Sequence, residues 1–366
     1  MEKLYAGLDI GGQTIKGVVL DGAGKSRLEV SRTTPASRET AASCGAAALW
    51  GVASSRETAA SCGAAAVLEV IRGVIAELSA VGTIASVGVG TPGGVDSDGV
   101  IVGMSANISG WYGTRLRDEV SAMAAAPCAV RNDGNMAAYG EWAAREGSLK
   151  GLLFIGLGTG IGGGYVEDGR IFGGCDDRAL EIGHFMIEPS GRRCACGIDG
   201  CAEAYASGPS IGKVAAALGR GEDAGLGSMA RAAGPASSFK DSPLAARALA
   251  GECFNAREVY EAYAAGDRLA LAVDAVAAEA LARAVSVALA MMAPDTVVFG
   301  GGVIAGAPHL PARIAELVRE KVYRDAWKQC EFETALLSHR AGLLGAALYG
   351  ASLVVDRADL LRIRAR

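Results

Sequence analysis

Apolar runs broken by glycine and by Asp-Gly pairs organise this chain. Residues 5–25, YAGLDIGGQTIKGVVLDGAGK, read as an apolar strand, a glycine-rich turn, a second strand and an Asp-Gly turn. Residues 152–171, LLFIGLGTGIGGGYVEDGRI, repeat the device. Asp-Gly is a strong hairpin signal. With Asp21 set on Asp168, Gly11 falls on Gly158 and Gly17 on Gly164. The pattern predicts two related α/β halves, each opening on a glycine-rich hairpin. A third cluster, DTVVFGGGVIAG at 295–306, reads as a buried strand ending in a loop at Gly300 to Gly302. Helical periodicity fills roughly 56–80, 112–126, 134–147, 267–292, 310–326 and 341–354. Strands alternating with helices predict α/β layers.

The longest apolar segment, Arg268 to Ala293, is interrupted by Asp274, Glu279 and Arg283. A buried amphipathic helix explains it better than a membrane span. The motif SRETAASCGAAA occurs at 37–48 and again at 55–66. The shift of 18 residues (55 − 37) is about five helical turns, so it leaves a helix facing the same way. It reads as a local duplication that lengthens a helix or adds a surface loop. Gly45 and Gly63 weaken a single continuous helix there. Residues 208–257 are rich in Gly, Ser, Pro and Ala and read as short helices joined by loops.

Composition narrows the chemistry. The chain has 366 residues, 51% of them hydrophobic, enough for a sizeable core. Its formal net charge of −5, with no dense Lys/Arg block, argues against a nucleic-acid partner. The start, MEKLYAGLDIGG, runs straight into a strand and holds no apolar stretch of signal-peptide length. Nine cysteines without such a signal point to a cytoplasmic protein with reduced thiols, and to metal rather than disulfides where they cluster.

Glycine-rich loops suit phosphate because backbone N–H groups can approach it without a Cβ in the way. GLGTGIGG contains G-x-G-x-x-G from Gly158 to Gly163, but a strand follows it where a dinucleotide site needs a helix. GAGKS at 22–26 lacks the leading glycine of a P-loop and sits in a hairpin turn. Two matched loops and a third, each after a buried strand, favour a nucleotide site. In VRNDGNMAAYGEW, Asn132 and Asp133 stand between an apolar strand and a helix. Ligands bind at such strand ends. Asp133 is either a base with Asn132 on a substrate hydroxyl, or part of a helix cap. Glu181 and His184, three residues apart in EIGHF, are either ligand groups or a polar surface pair. Glu203 is either a site residue or an ordinary exposed glutamate.

The stretch CACGIDGC packs Cys194, Cys196 and Cys201 into eight residues. Zinc prefers four tetrahedral Cys or His ligands. His184, one of three histidines, lies ten residues upstream and completes a Cys3His set that leaves no open position. A structural zinc site is predicted; buried free thiols are the alternative. The spacings C-x-C and C-x4-C are not those of a redox pair, and no second half of a DNA-reading finger follows.

Taken together these motifs resemble the ROK family of sugar kinases and sugar-responsive repressors, within the actin-like, Hsp70-like and hexokinase-like ATPases. LDIGGQTIKG is similar to the family's first phosphate loop and GLGTGIGGG to its second. GVGTPGGVD, NISGW and RNDGNMAA resemble its sugar-binding elements. EIGHF with CACGIDGCAE resembles its sugar and zinc signature, and VVFGGGV its adenosine loop. The likeness covers nearly the whole chain in the family's order. It implies an α/β fold of two actin-like (ribonuclease H-like) domains around a central cleft. The smaller domain would span 1–131 with a returning helix at about 350–366. The larger would span 132–349, with the zinc segment and the variable 208–257 region.

The same resemblance implies an ATP:hexose phosphotransferase, glucokinase-like, that uses Mg²⁺. Asp133 would be the general base. Gly93, Asn107, Asn132, Glu181, His184 and Glu203 would bind the sugar. Asp9 would hold Mg²⁺, and Gly11, Gly12, Gln13, Thr14, Lys16, Gly158, Thr159 and Gly160 would hold phosphates. Gly301 and Gly302 would lie near adenosine. His184, Cys194, Cys196 and Cys201 would bind zinc. Gln13 departs from the threonine usual in the first loop, and 208–257 is longer than usual. The resemblance also implies a homodimer. Glucose is the expected substrate, with N-acetylmannosamine or N-acetylglucosamine as alternatives. Repressors of the family carry a helix-turn-helix region before the first loop; only eight residues precede Asp9 here, so a DNA-binding domain is not expected. A non-catalytic sugar sensor is the remaining alternative.

Overall fold

The computed structural model describes residues 3–35, 56–103 and 108–363. Asn107 and the first copy of the duplicated motif lie outside the described residues. The strands are β1 (Leu4–Ile10), β2 (Thr14–Leu20), β3 (Ser26–Thr33), β4 (Ile84–Thr91) and β5 (Cys128–Asn132), then β6 (Gly151–Leu157), β7 (Ile161–Glu167), β8 (Arg170–Ile171), β9 (Thr296–Gly300) and β10 (Glu331–Thr334). The helices α1 (Arg56–Ser79), α2 (Leu116–Ala124) and α3 (Asp133–Ala144) intervene in the first half. Later come α4 (Glu203–Ala206), α5 (Gly208–Gly219), α6 (Ala230–Ala233), α7 (Pro243–Leu249), α8 (Ala256–Ala264) and α9 (Arg268–Met292). The chain ends with α10 (Gly302–Gly306), α11 (Leu310–Val318), α12 (Arg324–Trp327), α13 (Ala341–Ala351) and α14 (Arg357–Leu360).

Two mixed sheets have one topology. The first runs β3-β2-β1-β4-β5 and the second β8-β7-β6-β9-β10. In the first, β1 pairs antiparallel with β2 and parallel with β4, and β4 pairs parallel with β5. In the second, β6 and β9 are parallel, as are β9 and β10, while β7 and β8 are antiparallel. The glycine-rich hairpins read from the sequence therefore open two copies of one strand order. The turn at Asp21 is an ordinary hairpin turn: its Oδ1 accepts the N–H of Ala23 and of Lys25, so these two donors of GAGKS are already paired.

Contacts divide the chain into one unit of residues 1–148, 164–179 and 340–366 and another of 149–163 and 180–339. The boundary expected at 131/132 falls inside the first unit, and the returning segment begins at Arg340 rather than near 350. The cause is glycine packing around α13. On β1, Leu4, Ala6, Leu8 and Ile10 enter the core beneath α1. Alternation sends Tyr5, Gly7 and Asp9 to the other face, where α13 lies. A Cβ on Gly88 would sit 1.8 Å from the Ala346 carbonyl oxygen, and one on Gly7 2.6 Å from the Leu343 oxygen. A Cβ on Gly345 would meet the Met136 oxygen at 1.8 Å, so α3 is held to α13 at backbone distance. That contact keeps α3 in the first unit.

Helix α1 buries Ala64, Val67, Ile71, Val74, Ile75 and Leu78, a single stripe at three- and four-residue spacing. The second copy of the duplicated motif forms its first turns. Gly17 on β2 lets Val74 of α1 approach, with an added Cβ 2.6 Å from Val74 Cγ1. Its counterpart Gly164 lets α3 approach in the same way, 2.5 Å from the Gly134 oxygen.

In the second unit α9 is a core helix that buries Leu269, Val273, Val276, Leu281, Val285 and Leu289. The buried Asp267 carboxylate caps it, accepting the N–H of Leu269 and Ala270. Asp267 also accepts the Ser242 hydroxyl, which fastens the start of α7. The 208–257 region is a set of short helices, as its composition suggested. The expected helix over 310–326 is two pieces, α11 and α12, with Lys321 between them paired to Glu279 at 3.0 Å.

Replacing Gly88 by Ala should cost about 1–3 kcal/mol or more, because the Ala346 carbonyl cannot retreat without moving α13. Gly22→Ala, at a position with open space around its Cβ, should stay within about 0.5 kcal/mol. Urea unfolding of the two variants checks this.

Candidate active site

The first unit presents two groups of expected site residues. One is the β1–β2 hairpin. Gly11 donates its N–H to the Thr14 carbonyl at 2.8 Å, closing a tight loop that leaves Gly12, Gln13 and Thr14 exposed. Thr34, only 4% exposed, stitches this loop from the end of β3. Its hydroxyl donates to the Gly11 carbonyl at 2.7 Å and its N–H to the Gln13 carbonyl at 2.9 Å. Gln13 thus enters the loop's framework through its main chain. Asp9 lies opposite Lys16 in the β1–β2 register. Burial raises the Asp9 carboxyl, and Lys16 opposes the rise. The carboxylate lies where a Cβ on Gly342 would be 3.5 Å away, at the first turn of α13.

The other group is the corner between β5 and α3. Asn132 is the N-cap: its Oδ1 accepts the Gly134 N–H at 2.9 Å and the Asn135 N–H at 3.4 Å. Its Nδ2 donates to the Gly93 carbonyl at 3.3 Å, so two of the expected sugar residues meet. Gly93 has φ +91°, which suits glycine. Asp133 is exposed at the first position of α3, and its Oδ1 accepts the Gly134 N–H at 2.9 Å.

Sequence reasoning missed the residues that hold this corner. Arg131 Nη1 donates to Asp177 Oδ1 at 2.7 Å, and Asn132 N–H donates to Asp177 Oδ2 at 3.1 Å. Arg131 also donates through Nε and Nη2 to the Tyr349 hydroxyl at 3.0 and 2.8 Å. Burial pushes the Asp177 carboxyl up, against the pull of Arg131. No sequence signal marks Asp177, because its partners are more than forty residues away.

The second unit presents the remaining expected residues. His184, Cys194, Cys196 and Cys201 place one ligand atom each within 4.8 Å of one another. Cys194 Sγ is 3.8 Å from His184 Nδ1, and Cys196 Sγ is 3.6 Å from Cys201 Sγ. Two sulfurs at about 2.3 Å from a tetrahedral zinc ion would lie about 3.8 Å apart. The donor set and its spacing therefore fit that ion. His184 turns Nδ1 inward, which leaves Nε2 for another partner. Burial raises the Cys194 and Cys201 thiols; a bound cation reverses that tendency.

The local fold of this segment follows from its glycines. Residues 194–198 close a turn, with Gly197 N–H on the Cys194 carbonyl at 3.0 Å and Cys194 N–H on the Ile198 carbonyl at 2.9 Å. Gly200 has φ +78°, and a Cβ there would meet the Glu188 oxygen at 1.8 Å. Three further residues that the sequence did not mark fasten the 224–229 stretch to this segment. Glu188 accepts from Ser228 and Arg283, Arg192 donates to the Ala224 carbonyl, and Tyr205 donates to the Gly225 carbonyl.

Glu203 connects the cysteine cluster to the second glycine loop. Its Oε2 accepts the Ile161 N–H at 2.9 Å, while Oε1 is 3.9 Å from Cys194 Sγ. A Cβ on Gly160 would sit 2.6 Å from that Oε2, so the glycine makes room for the carboxylate. Gly158 accepts the Gly208 N–H at the start of α5, at 2.8 Å. Thr159 is exposed at the turn. Glu181 precedes a short 3-10 turn, its carbonyl accepting the His184 N–H at 2.9 Å. Gly301, with φ +91°, would carry a Cβ 2.3 Å from the Leu157 oxygen. With Phe299, Ile304, Pro308, Thr334 and Ala335 it lines a cavity of about 210 Å³. Gly302 opens α10 beside it.

These features define an α/β protein with two mixed sheets of one strand order and glycine loops at their opening hairpins. The ROK family model matches residues 51–351, and the chain belongs to the ROK family. A glucokinase of Thermotoga maritima is 31% identical over 282 residues, 77% of this chain and 84% of that enzyme. An N-acetylmannosamine kinase of Escherichia coli is 30% identical over 256 residues, 70% of this chain and 76% of that enzyme. The crystal structure of a ROK hexokinase from Thermus thermophilus superposes with a TM-score of 0.68 at 27% identity, over 97% of this chain and 99% of that one.

Gly160→Ala should push the Glu203 carboxylate off the Ile161 N–H. Loss of a charge-assisted hydrogen bond of this kind costs about 1.5–3 kcal/mol. The expected result is a folded variant of lower stability, read by thermal unfolding. Gly162→Ala, with open space at its Cβ position, is the matched control.

Proposed function

We propose that this chain is an ATP-dependent sugar kinase that transfers a phosphoryl group to a hexose hydroxyl, and that glucose, giving glucose 6-phosphate, is its substrate. One observation carries the reading: an exposed carboxylate, Asp133, stands at the end of the parallel strand β5, beside the N-cap Asn132, which is tied to Gly93. Phosphoryl transfer to an alcohol depends on positioning, charge compensation and a base near the hydroxyl. Asp133 takes the hydroxyl proton as the sugar oxygen bonds to the γ-phosphorus and ADP departs. Such a base contributes about 10²–10⁴-fold.

The other roles follow from the same reading. Asn132, Gly93, Asn107, Glu181, Glu203 and the Nε2 side of His184 bind sugar hydroxyls. Gly11, Gly12, Gln13, Thr14 and Lys16 on one hairpin, and Gly158, Thr159 and Gly160 on the other, hold phosphates. The cavity beside Gly301 and Gly302 takes adenosine. Asp9 would hold Mg²⁺, which would offset charge on the phosphates. His184, Cys194, Cys196 and Cys201 would hold zinc, which would fix the segment between Glu181 and Glu203. The protein has two actin-like domains. It works in the cytoplasm as a homodimer.

The likeness to N-acetylmannosamine kinase supports an N-acetylhexosamine as the second candidate substrate. A coupled ADP-release assay with Mg-ATP over hexoses and N-acetylhexosamines decides between them. Glucose is expected to have the highest kcat/KM; preference for an N-acetylated sugar favours the second substrate, and no turnover by folded protein favours a sensor. In the same assay Asp133→Asn should lose about 10²–10⁴-fold in kcat, and full activity would remove Asp133 as base. Metal analysis should find about one zinc per chain. Folded, active protein without metal would exclude the zinc role.

A further inference from the structure

We propose that Asp177 is a positioning residue for phosphoryl transfer, holding the corner of residues 131–133 so that the Asp133 carboxylate is presented correctly. The inference rests on the reading of Asp133 as the base. Asp177 lies in the loop after β8 with φ +53°, and Asp176 beside it has φ +55°. This left-handed backbone favours glycine. Among other residues Asp enters it most readily, and two in succession mark a loop held by its surroundings. Glycine at 177 would relieve the backbone and remove the carboxylate.

That carboxylate is 1% exposed, and both of its oxygens act on the two residues before Asp133. Oδ1 accepts from Arg131 and Oδ2 from the Asn132 main chain. The Asn132 amide in turn reaches the Gly93 carbonyl, and the Val95 N–H donates to the Asp176 carbonyl at 2.9 Å. Residues 93–95, 131–133 and 176–177 thus close a ring of hydrogen bonds around the corner. Arg131 also donates through Nε and Nη2 to Tyr349, and its guanidinium lies 5.3 Å from that ring's centre.

The fold of the corner has other supports. β5 is paired with β4 as far as Asn132, Asn132 caps α3, and Gly345 seats α3 on α13. Asp177 adds orientation of the residues next to the base. Misplacement of a reacting group by about 1 Å can cost about 100-fold in rate.

The test uses the full chain. Asp177→Asn, Asp177→Gly, Arg131→Lys and Asp133→Asn are compared for kcat, KM for sugar and for ATP, and Tm. Lysine keeps the charge at 131 but cannot span Asp177 and Tyr349 together. The expected result for the first three is a fall in kcat of about 10- to 100-fold, with KM for ATP unchanged and the folded fraction intact. Asp177→Gly, which removes the unfavourable φ, keeps the test open if Asp177→Asn folds poorly. Wild-type kcat in the folded Asp177 variants, with Asp133→Asn inactive, overturns this inference alone. A rise in sugar KM at constant kcat, or losses that track only the unfolded fraction, also overturns it. Wild-type activity in Asp133→Asn overturns the base assignment and this inference with it.

Discussion

The carbonyl oxygens of α13 and α3 come so close to neighbouring backbone that only hydrogen fits at Gly7, Gly88, Gly140 and Gly345. Such contact packs main chain against main chain, with no side chain to absorb error. One consequence is that α13 carries β1 and β4 on one side and α3 on another. Asp9 sits on the face of β1 that α13 covers, and Asp133 sits at the first turn of α3. The two carboxylates therefore stand on elements keyed to the same helix, although more than a hundred residues separate them in the chain.

In the second unit the organising device is different. The segment between His184 and Glu203 has little apolar core of its own. It is held by turn glycines, by main-chain bonds and by four ligand atoms gathered within 4.8 Å. Glu203 turns this cluster toward the glycine loop at Gly160, where the absence of a Cβ leaves space for its carboxylate. The cysteine cluster and the second glycine loop thus share one carboxylate. Glu188, Arg192 and Tyr205 extend the same segment outward and fasten the long 208–257 region to it.

Left-handed backbone recurs from the corner of the first unit into the start of the second. Non-glycine residues at 176, 177 and 180 all have positive φ, in the stretch leading to Glu181. Energetically the stretch would be easier with glycines. It is retained by specific bonds, of which the Asp177 carboxylate on Arg131 and Asn132 is the clearest. Thr34 does similar work at the first hairpin, where it holds the Gly11 and Gln13 carbonyls without any departure in backbone conformation.

Much was legible in the sequence because it is local. Hairpin turns, strand alternation and the stripe on α1 depend on neighbours within a few residues, so the matched hairpins and most helices could be read directly. The Cys3His set was legible for the same reason: four ligands lie within eighteen residues. The tertiary structure decided what depends on distant partners. It moved α3 into the first unit, because Gly345 receives the Met136 carbonyl. It showed which imidazole nitrogen faces the sulfurs, and it brought Asp177 and Tyr349 to Arg131. A carboxylate in sequence carries no mark of which backbone N–H it will accept from. That is settled only when sheets and helices close on one another.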